Sequence, residues 1–167
     1  MAFIPDMLDM CIMDILQQDA RTTNKEIAAK LGKSVTAIFE RVKRLEAEGY
    51  ILGYIAVLNR NKLGSALVAY TSVTLEMHGH ERLMAFEQSM DGFSEVLECY
   101  KMSGQFDYLL RIVVPDMEAY DAFYSNKLSK LDNIRKIRSL FVLSESKHDK
   151  GLHLKTDFIN KIEHRTK

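Results

Sequence analysis

The stretch from Thr23 to Gly49, TNKEIAAKLGKSVTAIFERVKRLEAEG, most constrains this chain, because it contains start and stop signals for two helices with hardly a residue to spare between them. Thr23 and Glu26 have the spacing of a capping box, in which each side chain satisfies a backbone donor at a helix start. Ile27, Ala28 and Leu31 then form one apolar stripe, and Gly32 can take the left-handed conformation that ends a helix. Ser34 is a good N-cap for the next helix, where Val35, Ile38, Val42 and Leu45 recur at three- and four-residue steps as a buried face. Leu8, Ile12, Ile15 and Leu16 supply a third amphipathic helix. Three short helices around one small core, two of them joined by a tight turn, make a helix-turn-helix domain.

Charge is distributed unevenly. The 167-residue chain is formally neutral. Yet Arg21, Lys25, Lys30, Lys33, Arg41, Lys43 and Arg44 face only Glu26 and Glu40 between positions 21 and 44. Local positive charge fits phosphate contact with double-stranded DNA. A solvated helix face explains the charge equally well, and the turn geometry tips the balance towards DNA. The short residues Ser34, Thr36 and Ala37 let the first turn of the second helix approach a groove. Its free amides can hold a phosphate, and Glu40, Arg41 and Arg44 are long enough to reach base edges or phosphates. The DNA-contacting set is therefore Arg21, Lys33, Ser34, Thr36, Ala37, Glu40, Arg41, Lys43 and Arg44.

After Tyr50 the period changes. ILGYIAVLN reads as a short connecting strand, followed by a polar turn from Asn59 to Gly64. From Ala66 the order is strand, helix, strand, strand, helix, strand. The strands are ALVAYTSVTLEM, FSEVLECYKM, DYLLRIVV and IRKIRSLFVLSES. Leu83, Phe86 and Met90 mark one face of the first helix, which Gly92 ends. Pro115 stops the third strand, and Asp116 caps a helix carrying Tyr120, Phe123, Leu128 and Leu131 on its buried side. This βαββαβ order is the ferredoxin-like arrangement, an antiparallel sheet covered on one face by two helices. The expected fold class is α+β, with a winged-type helix-turn-helix domain over 1–50, a connecting strand and linker over 51–65, the βαββαβ domain over 66–146 and a tail over 147–167. Because strand residues on both registers are largely apolar, the open sheet face is expected to pack on a second copy, giving a homodimer.

The apolar fraction of 47% is normal for a globular protein, and no run of about 18 apolar residues exists to span a bilayer. The N-terminus lacks the basic and apolar regions of a signal peptide, so a cytoplasmic location is expected. Cys11 and Cys99, the only two cysteines, are expected to be reduced core residues. His78, His80, His148, His153 and His164 have no recognised metal-ligand spacing and read as solvated, and no metal or cofactor is expected. No nucleophile with an adjacent base, no phosphate-cradling glycine loop and no ligand cluster points to an enzyme.

Four segments in order, LDMCIMDILQQDAR, SVTAIFERVKRLEAEGYILGY, SGQFDYLLRIVVPDMEAY and IRSLFVLSESK, resemble the Lrp/AsnC (feast/famine) transcription regulators over nearly the full length. The resemblance implies DNA binding by the first domain. It also implies a second domain (the RAM domain) that forms dimers, assembled in turn into higher oligomers such as an octamer. It further implies an amino-acid or related effector held near Gly104, Gln105, Phe106, Asp107, Arg138 and Ser139. Asp107 and nearby amides would face the ligand's ammonium and carboxylate, although Gly104 and Asp107 are by themselves turn residues. Ile137, where the family often has a hydroxyl residue, and the uncharged Gln105 allow an apolar amino acid. A ligand-independent architectural protein that wraps DNA is the alternative. In the tail, Phe158, Ile159 and Ile162 suggest a short amphipathic segment.

Overall fold

The computed structural model describes residues 3–59, 62, 64, 66–147, 151, 152 and 154. These form two compact units, one running to Val57 and joined by described tail residues, the other spanning Leu58–Ser146.

The first unit holds α1 (Met7–Gln18), α2 (Asn24–Leu31) and α3 (Val35–Ala47). Each start is capped as the sequence dictates. Asp6 accepts from the Asp9 amide at 2.9 Å while the Asp9 carboxylate accepts from the Asp6 amide at 3.0 Å. Thr23 and Glu26 repeat that reciprocal pair at α2, and the Ser34 hydroxyl accepts from the Ala37 amide at 3.2 Å at α3. Gly32, at φ 61°, ends α2 and lets the Lys33 amide reach the Ala28 carbonyl, which makes the turn into α3 abrupt. Ile12, Leu16, Ile27, Ala28, Ile38 and Leu45 close the core. Burial of each larger aliphatic side chain contributes about 1.5–3 kcal/mol. Val35, expected in this core, is instead 47% exposed at the first position of α3.

Residues 51–59, expected as a connecting strand, pair with no strand among the described residues. The tail segment around Phe158, Ile159 and Ile162 and the histidines His148, His153 and His164 lie outside the described residues.

The second unit contains β1 (Leu67–Leu75), α4 (His80–Asp91), β2 (Val96–Lys101), β3 (Tyr108–Val114), α5 (Met117–Asn126) and β4 (Ile134–Phe141). The sheet order is β2-β3-β1-β4 with every pair antiparallel. The expected helix through Leu131 is shorter: α5 stops at Asn126, and Leu128 enters the core from a separate 3-10 turn, Leu128–Lys130. Alternation along the strands puts Ala69, Thr71, Val73, Leu75, Tyr108, Leu110, Ile112 and Val114 in one core with Phe86, Met90, Tyr120 and Phe123.

The opposite face, expected to be largely apolar, is so only at one end. By register, Val68, Tyr70, Val113 and Leu140 occupy one end, whereas Ser72, Thr74, Lys136 and Arg138 occupy the other. Cys99, expected in the core, is exposed on strand β2 at the sheet edge. Desolvation, followed by the carboxylates of Glu87 and Asp91, pushes its thiol up to about 11.

Candidate functional site

Two surfaces gather the expected site residues, one in each unit. In the first, Arg21, Lys33, Ser34, Thr36, Ala37, Glu40 and Lys43 are all exposed. Arg21, Lys33 and Lys43 form no ion pair among the described residues, which leaves their charge available to a polyanion. Ser34 already uses its hydroxyl as the α3 cap, so its contribution at that turn is to hold the amides in place.

Arg41 and Arg44 are placed differently from expectation. Arg41 turns back onto α1 and donates to Asp6 and to Asp9, each at 2.7 Å. Arg44 reaches Asp9 at 3.5 Å and stacks its guanidinium 4.2 Å from the centre of the Phe3 ring. Phe3 is in turn edge-on to Tyr50, whose hydroxyl donates to the Phe3 carbonyl at 2.9 Å. The Asp9 side chain is 1% exposed and sits between two arginines. Hydrogen bonds that Arg41 donates to Asp9 and then to Asp6 raise its guanidinium further above its usual range. Desolvation alone would raise the Asp6 carboxyl, but the Asp9 amide and Arg41 more than offset it and hold it below the usual range. Arg41 therefore anchors α3 to α1, and Arg44, half-exposed, divides between that anchor and solvent.

Val35 and Phe39, both absent from the expected set, stand exposed on the first half of α3 at 47% and 49%. Phe39 falls off the stripe of Ile38, Val42 and Leu45, and that offset was the available signal. An apolar side chain at this position suits a thymine methyl group.

In the second unit, the hairpin between β2 and β3 closes through the Met102 amide on the Asp107 carbonyl at 2.8 Å, with Gly104 at φ 146°. The Asp107 carboxylate, expected to face a ligand, already has a partner on each oxygen within the unit. One oxygen accepts from the Leu75 amide at 2.7 Å and the other meets His78 Nε2 at 2.9 Å, so Asp107 fastens the hairpin to the end of β1. His78 is thus a hairpin partner as well as a solvated residue. Ser139, expected near the same ligand, lies on the helix-covered face, bonded to the Tyr120 hydroxyl and, at 3.1 Å, to Thr71. Ile137 shares that face and packs on the core.

What the hairpin does form is a shallow, open depression lined by Ser72, Thr74, Gln105, Phe106, Lys136 and Arg138. Ser72 lies opposite Arg138 and Thr74 opposite Lys136 in the β1–β4 register. Gly104 shapes the turn without lining the hollow. Ser72, Thr74 and Lys136 were missed by sequence reasoning, though Lys136 shares strand parity with Arg138.

A capped helix-turn-helix unit with an exposed second helix, joined to a ferredoxin-like unit with a polar depression, defines a DNA-binding regulator carrying a ligand-binding domain. The family model for winged helix-turn-helix DNA-binding matches residues 8–51, and that for the Lrp/AsnC ligand binding domain matches residues 68–152. The leucine-responsive regulatory protein of Escherichia coli K12 is 36% identical over 151 residues, which cover 90% of this chain and 92% of that protein. An AsnC family transcriptional regulator from Agrobacterium tumefaciens superposes with a TM-score of 0.84 at 37% identity, covering 92% of this chain and 99% of its own. A transcriptional regulator from Neisseria meningitidis, solved in complex with L-Met, gives 0.83 at 31% identity over 90% and 97%. This chain belongs to the Lrp/AsnC family of transcriptional regulators, which are not enzymes. Among the described residues, no helix is long and apolar enough to cross a membrane.

Proposed function

We propose that this chain is a sequence-reading transcriptional regulator whose DNA affinity or assembly responds to an amino acid or a related small metabolite. The observation that carries the proposal is the depression beside the Gly104–Asp107 hairpin, present in the same chain as an exposed, capped α3. The Neisseria relative in complex with L-Met supports an effector of the same general size. DNA contact falls to Arg21, Lys33, Thr36, Ala37, Glu40, Lys43 and the exposed flank of Arg44, with the amides after Ser34 on a phosphate. Arg41 and Asp9 act indirectly, by setting the pose of α3. Effector contact falls to Gln105, Phe106 and Arg138, with Gly104 and Asp107 shaping the hairpin.

A homodimer through the open sheet face follows from the apolar end of that face, where Leu140 is 73% and Tyr70 37% exposed. Such dimers build the higher oligomer.

Fluorescence anisotropy tests the proposal, using the chain's own promoter duplex and a scrambled duplex at two salt concentrations, with and without mixed amino acids. Promoter preference that shifts with amino acids is expected. Equal, salt-sensitive binding to both duplexes, unmoved by amino acids, would replace this reading with the architectural one.

A further inference from the structure

The depression beside the hairpin is cationic, and this decides what can occupy it. We infer that its ligand is a small dicarboxylate, an acidic amino acid or its 2-oxo counterpart, held by Lys136 and Arg138 together. The inference rests on the reading of this unit as an effector domain and deepens it.

Three observations converge. First, Lys136 and Arg138 stand two residues apart on one face of β4, roughly 7 Å between Cα atoms, since alternate residues share a face. Neither has an ion-pair partner among the described residues. Two neighbouring cations without a counter-charge repel, and a ligand that brings one carboxylate to each relieves the repulsion. Second, no carboxylate among the described residues lines the hollow. Asp107, the acidic residue nearest in sequence, is occupied by the Leu75 amide and His78. A zwitterion with an apolar side chain offers a single carboxylate, which satisfies one cation and leaves the other unpaired. Third, Thr74 lies opposite Lys136 in the β1–β4 register with a hydroxyl that can donate to a carboxylate oxygen, Ser72 donates its own hydroxyl to the Arg138 carbonyl at 3.3 Å and so steadies that strand position, and Phe106 supplies an apolar wall for a short carbon skeleton.

Isothermal titration calorimetry on the full-length protein tests this with L-glutamate, L-aspartate, 2-oxoglutarate, L-leucine and L-methionine. At least one dicarboxylate should bind ten times more tightly than either apolar amino acid. Lys136→Gln and Arg138→Gln should each weaken it about tenfold, as expected for losing one charge-assisted pair. Arg135→Gln, the same charge change on the same strand outside the hollow, should leave binding unchanged. The ratio of L-glutamate to 2-oxoglutarate affinity decides between the amino acid and its 2-oxo counterpart. Tighter binding of L-leucine or L-methionine, with Arg138→Gln silent, overturns the dicarboxylate and leaves the regulator reading standing. Absence of heat with every probe overturns both the inference and the effector half of that reading, while promoter binding is judged separately by anisotropy. If the two glutamine variants alter sedimentation but not the titration, the cations belong to a contact between copies and the inference falls.

Discussion

Replacing Asp9 by alanine should loosen α3 far more than replacing any other acidic residue of the first unit, even though Asp9 lies in α1. Its carboxylate is 1% exposed and accepts from Arg41 at 2.7 Å, from Arg44 at 3.5 Å and from the Asp6 amide at 3.0 Å. Removing one partner of a buried ion pair costs about 3–5 kcal/mol, because the other charge is left without compensation. Arg41 keeps Asp6 and some contact with water, its side chain being 26% exposed, which places the loss near the lower end, about 3 kcal/mol. That corresponds to a roughly 150-fold larger opening constant. Asp6→Ala should cost only about 1 kcal/mol, since its side chain is 53% exposed and its main role is as an N-cap. Hydrogen exchange by mass spectrometry on the full chain reads both numbers from the α3 peptides. The double variant Asp9→Leu, Arg41→Met should exchange more slowly than Asp9→Ala alone, because it strands no charge. Exchange in Asp9→Ala within threefold of wild type, or a larger effect from Asp6→Ala, would refute the assignment of this pair as the anchor of α3.

Lys43→Ala should reduce the slope of log affinity against log salt by about 0.9 without changing exchange in α3. An unchanged slope would remove Lys43 from the phosphate contacts. Phe39→Ala should weaken promoter binding about tenfold and leave stability intact, as measured by anisotropy beside exchange. Wild-type affinity would return Phe39 to an ordinary exposed side chain. Gly32→Ala should cost about 1 kcal/mol from backbone strain alone, since the glycine sits at φ 61° and an added Cβ would meet nothing within 4 Å. Urea midpoints that match wild type would contradict this. Acid should loosen the first unit. The Asp6 carboxyl and the Glu26 carboxyl, the latter bonded first of all to the Thr23 amide, both lie below their usual range. Their stabilising contribution is present above the unfolded-state value, about pH 4, and is lost as pH falls through the lower folded values. An amide NMR titration that leaves the first turns of α1 and α2 unmoved at the acid end would exclude that linkage.

Much of this fold could be read locally. Caps and stops are contacts between residues three or four apart, so Thr23 with Glu26, Gly32, Ser34, Gly92 and Asp116 marked helix ends that the structure reproduces. The βαββαβ order followed from periodicity, and the family followed from motifs spread along the chain. The site was only half legible. Arg41 and Arg44 read as outward cations because Asp6 and Asp9 are more than thirty positions away, and α1 meets α3 only after folding. The internal partners of Asp107 and Ser139 were not legible either, because turn and strand composition do not say where a carboxylate or hydroxyl points.

The local code determined the helix boundaries, the strand count and the charge excess over residues 21–44. Tertiary structure decided which charges are available. Pairing of β1 with β4 put Lys136 and Arg138 opposite two hydroxyls on an open face, while packing of α3 on α1 neutralised Arg41 against Asp9. The physical reason is range. A capping bond depends on neighbours along the chain, whereas an ion pair or a binding hollow depends on which distant side chains the core brings within a few ångströms of one another.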